Sequence, residues 1–90
     1  MASGFLNRAV QKGINTDLNI RGQSYHIQTE DWGSNNPFIV TRIFCNGAVL
    51  KTIKTSYEQA FRMGSVKDTE SILQALRRQH QFACENINKL

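Results

Sequence analysis

The chain reads as an α+β domain: a four-stranded antiparallel meander, made of two hairpins, packed against one long C-terminal helix. Three observations predict this. Apolar and polar residues alternate with a period of two between Thr16 and Tyr57, the period becomes helical from about Thr69, and Asn46-Gly47 separates two strand-like runs. With 90 residues, one proline, and no linker or repeat, the chain is a single domain over 1–90. Residues 16–57 form the sheet, 58–90 are helical, and 1–13 are either a short helix or a flexible terminus. A chain this short buries only about 60–65% of its extended-chain surface, so self-association is a natural source of further burial.

Taken in order, Ser3–Lys12 has the makings of a short helix, with Ser3 as N-cap, Phe5, Leu6 and Val10 on one side, and Gly13 just past the end. The alternative is a frayed terminus that orders only against the body or a partner. Leu18 and Ile20, then Tyr25 and Ile27, alternate with polar residues around Gly22-Gln23. A turn there pairs Ile20 with Tyr25 and Leu18 with Ile27, which gives the hairpin one apolar side. The stretch Glu30–Pro37 is dense in turn-formers and reads as a surface loop.

Phe38–Cys45 and Ala48–Tyr57 flank Asn46-Gly47, the strongest short-range hairpin signal. A strict two-residue turn opposes Cys45 to Ala48, Phe44 to Val49, Ile43 to Leu50 and Arg42 to Lys51. One face then carries Ile39, Thr41, Ile43, Cys45, Ala48, Leu50 and Thr52. The other carries Phe38, Val40, Arg42, Phe44, Val49, Lys51 and Ile53. A helical turn around Glu58–Arg62 bridges sheet and helix. Ser65 or Asp68 caps a helix whose stripe is Ile72, Leu73, Leu76, His80, Ala83, Ile87 and Leu90, with Arg77, Arg78, Gln81, Glu85 and Lys89 opposite. Glu85 is placed to pair with Lys89 four residues on, and Phe82, off the stripe, suggests a second buried contact.

The formal net charge is +4, and the segment from Trp32 to Tyr57 holds Arg42, Lys51 and Lys54 with no acid. This modest excess does not by itself indicate nucleic acid. No run approaches the roughly 18 apolar residues a membrane span needs. Cys45 and Cys84, 39 positions apart, form no disulfide framework, and no signal-like N-terminal segment is present. A reducing cytoplasm is therefore the expected compartment, with both thiols free.

The two-sidedness of the second hairpin is the sharpest functional clue. One helix covers one face, so Phe38, Val40, Phe44, Val49 and Ile53 are left as an apolar patch with Arg42 and Lys51 inside it, unless residues 1–13 fold back over them. Arg42 opposite Lys51 is a like-charge pair that calls for a neighbouring anion: an acid of the first hairpin, a partner carboxylate, a phosphate or a small anionic ligand. Phe38 and Phe44 beside these cations resemble the basic and aromatic mixture that stacks single-stranded bases, although aromatics at strand period are more often core. Trp32 is either an anchor folded onto the sheet or an exposed recognition residue.

His80 and Cys84, spaced i and i+4, have helical metal-ligand geometry, with Cys45 and His26 as further donors. His26 falls on the opposite sheet face from Cys45, so a core-edge histidine and a small buried cysteine are the better reading. Glu30 and Asp31 diverge on an extended chain, and no phosphate-cradling glycine loop exists; no catalytic residue, metal or cofactor is expected.

The segments Tyr25-His26-Ile27-Gln28-Thr29-Glu30-Asp31, Asn36-Pro37, Asn46-Gly47-Ala48-Val49-Leu50 and Lys54-Thr55-Ser56-Tyr57 resemble an uncharacterised family of small bacterial proteins, over roughly half the chain. The resemblance implies a bacterial cytoplasmic origin and carries no activity, ligand or catalytic residue. In architecture alone, four antiparallel strands, a helix and a basic sheet look like the single-stranded-DNA-binding coactivator fold, with none of its motif residues matched.

The sequence thus leads to a non-enzymatic binding module acting through protein contacts, self-association included. Phe38, Val40, Phe44, Val49 and Ile53 are its expected apolar centre, Arg42 and Lys51 its charges and Trp32 its rim. Single-stranded nucleic-acid binding through the same face is the alternative.

Overall fold

The computed structural model describes residues 13–62 and 69–89. The expected Ser3–Lys12 helix, the Ser65 and Asp68 caps and Leu90 lie outside them. The sheet is the expected four-stranded antiparallel meander, in the order β1 (Gly13–Ile20), β2 (Gln23–Asp31), β3 (Phe38–Cys45), β4 (Ala48–Ser56). A short helix α1 (Tyr57–Arg62) follows, then α2 (Thr69–Glu85) and a 3₁₀ turn (Ile87–Lys89). α2 lies across one face of the sheet, mainly over β2 and β3.

The first hairpin turns at Arg21-Gly22, one residue earlier than expected. Both residues are left-handed, with φ of 54° and 80°. Positive φ at both central positions is what a type I′ turn requires, and its twist matches that of the flanking strands. Ile20 therefore opposes Gln23, and Leu18 opposes Tyr25. The pairing moves by two residues, an even number, so Leu18, Ile20, Tyr25 and Ile27 still share the helix-covered face.

Glu30 and Asp31 belong to β2, opposite Val40 and Ile39, so the loop begins only at Trp32. Asp31 is 3% exposed, and its carboxylate accepts hydrogen bonds from the Gly33 N–H at 3.0 Å and from the Tyr57 hydroxyl. The Tyr57 N–H donates to the Pro37 carbonyl at 2.8 Å, so both ends of the loop are tied to the start of α1. Burial and the adjacent Asp31 carboxylate push the Tyr57 hydroxyl well above the usual phenol range.

The second hairpin turns at Asn46-Gly47 as expected, with φ of 52° and 89°. Cys45 opposes Ala48 and Phe44 opposes Val49, but Ile43 opposes Lys51. Leu50 is thus an extra residue without an opposite number, a β-bulge. From there β4 reverses its phase: Ile53 opposes Thr41 on the covered face, and Lys54 opposes Val40 on the open face. The physical reason lies in the alternative. An unbroken register would set Lys54 beside Ile39 under the helix and leave Ile53 in solvent, at a cost of about 1.5–3 kcal/mol for the isoleucine alone.

Two apolar clusters fill the layer between sheet and helix. Ile27, Ile43, Ala83 and Ile87 form one, joined by Leu18, Ile20, Tyr25, Ile53 and Cys84. Ile39, Ala60 and Ala75 form the other, joined by Tyr57. Between them runs a buried polar seam. Thr29 and Thr41, both 0% exposed, share a 2.7 Å hydrogen bond across the β2–β3 ladder. The His80 ring lies 2.8 Å from Thr29 Oγ1 through Nδ1 and 2.8 Å from Thr16 Oγ1 through Nε2. Gln79 Nε2 donates to Thr41 Oγ1 at 3.0 Å and to the Ile39 and Ile53 carbonyls.

One orientation satisfies every member of this seam. Gln79 donates to Thr41, Thr41 to Thr29, Thr29 to the bare Nδ1 of His80, and Nε2–H to Thr16, whose hydroxyl turns to Cys84. Burial, and secondarily the charge of His26, hold the His80 imidazole below its ordinary pKa. Burial likewise raises the Cys84 thiol.

Two helical expectations change. α2 ends at Glu85, whose carboxylate accepts from Gln81 Nε2 at 2.9 Å, so Glu85 and Lys89 do not share a helical i,i+4 geometry. Phe82 is 56% exposed rather than buried. No helix of the described residues is long and apolar enough to cross a membrane.

Candidate binding surface on the open sheet face

The face away from α2 is built by every second residue of each strand. β1 contributes Asn15, Asp17 and Asn19, and β2 contributes Ser24, His26, Gln28 and Glu30. β3 contributes Phe38, Val40, Arg42 and Phe44, and β4 contributes Val49, Thr52 and Lys54. The surface is therefore polar, with aromatic rings set into it.

Of the eight residues the sequence nominated, five reach this face through the register: Phe38, Val40, Arg42, Phe44 and Val49. Val40, however, is only 2% exposed and cannot be touched from outside. Ile53 packs into the core with Ile27 and Ile43. Lys51 stands opposite Ile43, not Arg42; Arg42 opposes Thr52, and the like-charge pair expected from an unbroken hairpin does not form. The bulge at Leu50 is responsible for all of the β4 corrections. Trp32 folds back as an anchor.

At the loop end, Trp32 donates its indole N–H to Glu30 Oε1 at 3.4 Å, and the other Glu30 oxygen accepts from Gln28 Nε2 at 2.7 Å. Lys54 Nζ lies 5.2 Å from the Trp32 ring centroid and 4.2 Å from that of Phe38. The Arg42 guanidinium lies 5.8 Å from the Trp32 ring. Each is a cation–π contact of about 0.5–1 kcal/mol at an exposed site. Lys54 takes the role assigned to Lys51. The signal for it was present in the sequence: strict alternation would have buried a lysine, which argues for a break in phase.

At the hairpin end, His26 Nδ1 lies 2.7 Å from Asp17 Oδ1. A carboxylate only accepts, so Nδ1 carries the proton and Nε2 is the open position of the neutral ring. The pair is exposed and adds little to stability. The His26 ring sits 5.9 Å from Phe44, tilted by 47°. Ser24, His26, Gln28, Phe44 and Gly47 line a shallow cleft of about 290 Å³. Beside it, Val49 and Leu50 are 57% and 49% exposed, adjacent on the bulged strand.

Under the helix, both His80 nitrogens are occupied by threonine hydroxyls. Among the described residues no cluster of three or more histidine, cysteine, aspartate or glutamate side chains has metal-site geometry. Cys45 Sγ donates to Gln23 Oε1 at 3.2 Å, and both cysteines are free thiols. The chain matches no protein-family model, no curated protein and no solved structure.

Proposed function

We propose that the protein is a small non-enzymatic binding module of the cytoplasm, working through protein contacts that include self-association. The observation that carries this reading is the pair Val49–Leu50, two large apolar side chains exposed side by side on a bulge, with Phe44 directly opposite Val49. Adjacent exposed apolar residues next to a half-buried aromatic ring are the composition of an interface centre, and the surrounding polar strand residues supply its rim. The centre lies at the hairpin end of the face rather than across its middle, because Val40 and Ile53 are withdrawn from solvent.

Sedimentation velocity over a concentration series tests it. The wild type sediments as an associating species, while Phe44→Glu and the double variant Val49→Asp, Leu50→Asp sediment as folded monomers with an unchanged circular-dichroism spectrum. A wild type that stays monomeric at every concentration, or folded variants that associate as well as the wild type, refutes the assignment to this surface.

Single-stranded nucleic-acid binding ranks second, supported by Arg42 and Lys54 standing among Phe38, Trp32 and Phe44 on one face. Against it, the Trp32 and Phe38 rings already carry cations where bases would stack. Anisotropy titration of labelled oligonucleotides at two salt concentrations separates the readings, because phosphate binding releases counterions and apolar protein contact does not.

A further inference from the structure

We propose that the cleft of Ser24, His26, Gln28, Phe44 and Gly47 receives the guanidinium of an arginine side chain from the protein partner. This rests on the protein-contact reading and names the chemistry of the contact.

The polar groups whose direction is set each offer an acceptor to the cleft. His26 gives its Nδ1 proton to Asp17, so in the neutral form of the ring Nε2 offers a lone pair. Gln28 gives one amide N–H to Glu30, an acceptor-only carboxylate, which fixes the amide and leaves its oxygen free to accept. The Ser24 hydroxyl accepts as readily as it donates. Behind these stand two carboxylates, Asp17 bonded to His26 and Glu30 bonded to Gln28. The Phe44 ring also lines the cleft, and the face of an aromatic ring is electron-rich.

The ligand that answers such a site is flat, positively charged and rich in N–H donors. A guanidinium has five donors in one plane and no acceptor, and it lies on aromatic faces. An anion meets two carboxylates here. The cations of the face are committed elsewhere: Lys54 to Trp32 and Phe38, and Arg42 to Trp32. Among the described residues, no cation lies on Phe44, which has the His26 ring beside it. The approach is open as well, since Gly47 has nothing within 4 Å of where a Cβ would stand. Val49, opposite Phe44, places the apolar patch against the cleft, so an arginine flanked by apolar residues engages both.

The test is a ¹H–¹⁵N NMR titration of the labelled full chain with N-acetyl-arginine methylamide, beside its citrulline counterpart and guanosine monophosphate. Citrulline keeps the length and planarity of arginine and loses the charge. The expected result is a saturable millimolar shift confined to Ser24, His26, Gln28, Phe44 and Gly47, with the citrulline compound at least about tenfold weaker. Gln28→Leu, on the exposed face, and Phe44→Leu each weaken arginine binding, whereas Phe82→Ser on the far side of α2 leaves it intact. Equal binding of citrulline overturns the proposal, because the cleft then reads shape alone. Shifts with guanosine monophosphate and none with arginine overturn it in favour of a nucleobase site. No shift with any probe overturns it outright. Self-association that disappears in the Val49, Leu50 double variant while the arginine probe stays silent would sink the cleft proposal and leave the protein-contact reading standing.

Discussion

Replacing Thr29 by valine probes the buried seam with no change of shape. Thr29 is fully buried, its hydroxyl is bonded to Thr41 and His80, and valine fills the same volume, so no cavity term arises. The loss is two unmade hydrogen bonds. The Thr41 hydroxyl proton and the His80 Nδ1 lone pair are both left in the interior, each at about 1–3 kcal/mol. The added methyl returns about 1 kcal/mol of apolar burial. The net destabilisation is then about 1–5 kcal/mol, centred near 3, a large share of the stability of a domain this small.

Thr41→Val provides the internal comparison. Gln79 Nε2 keeps the Ile39 and Ile53 carbonyls, and the Thr29 hydroxyl keeps His80, so only one acceptor site on Thr29 is lost. The order of cost is Thr29→Val above Thr41→Val. Urea unfolding followed by circular dichroism measures both, with the m-value unchanged if the native and denatured states keep their compactness. A Thr29→Val loss below about 0.5 kcal/mol, or the reverse order, would refute the one-way hydrogen-bond path through the seam.

Further outcomes follow from the same geometry. The His80 pKa is lowered in the folded state, so below the unfolded imidazole value of about 6.5 the unfolded chain binds the proton more readily. Stability should be full above that pH and fall as pH drops through it; His80→Gln should flatten this limb of the pH–stability curve, and an unchanged limb would assign it to other groups. Deleting Leu50 removes the unpaired residue and leaves Ile43 opposite Lys51 and Thr41 opposite Ile53 in a continuous ladder, so the core keeps its side chains and the loss should stay below about 1 kcal/mol. Leu50→Asn keeps the bulge and should stay within about 0.5 kcal/mol of wild type; a loss above about 3 kcal/mol on deleting Leu50 in thermal melts would show that burial of Ile53 does not hold the register of β4. Trp32 fluorescence should resist iodide more than free tryptophan does and become more accessible in Glu30→Gln, where the indole N–H loses its charged acceptor.

Much of this architecture was legible from local chemistry. Asn46-Gly47 accepts positive φ at both positions, so the second hairpin closes where expected, and the apolar stripe of α2 specifies which of its sides meets the sheet. The covered face of the first hairpin survived a misplaced turn, because the two-residue shift in pairing preserved side-chain parity. The candidate surface was less legible. Phe38, Arg42 and Phe44 lie before the bulge in β3 and kept their places, whereas Lys51 and Ile53, beyond Leu50 in β4, changed sides.

Composition and periodicity by themselves determined the fold class, the strand order and the helix that covers the sheet, since each follows from turn residues and repeats a few positions long. Tertiary structure alone decided where β4 breaks phase. That choice compares burying Ile53 with burying Lys54 under a helix some twenty residues away, and no local preference contains the comparison. The seam belongs to the same class. Thr16, Thr29, Thr41 and His80 are ordinary strand and helix residues until packing removes water and leaves each with only the others to bond.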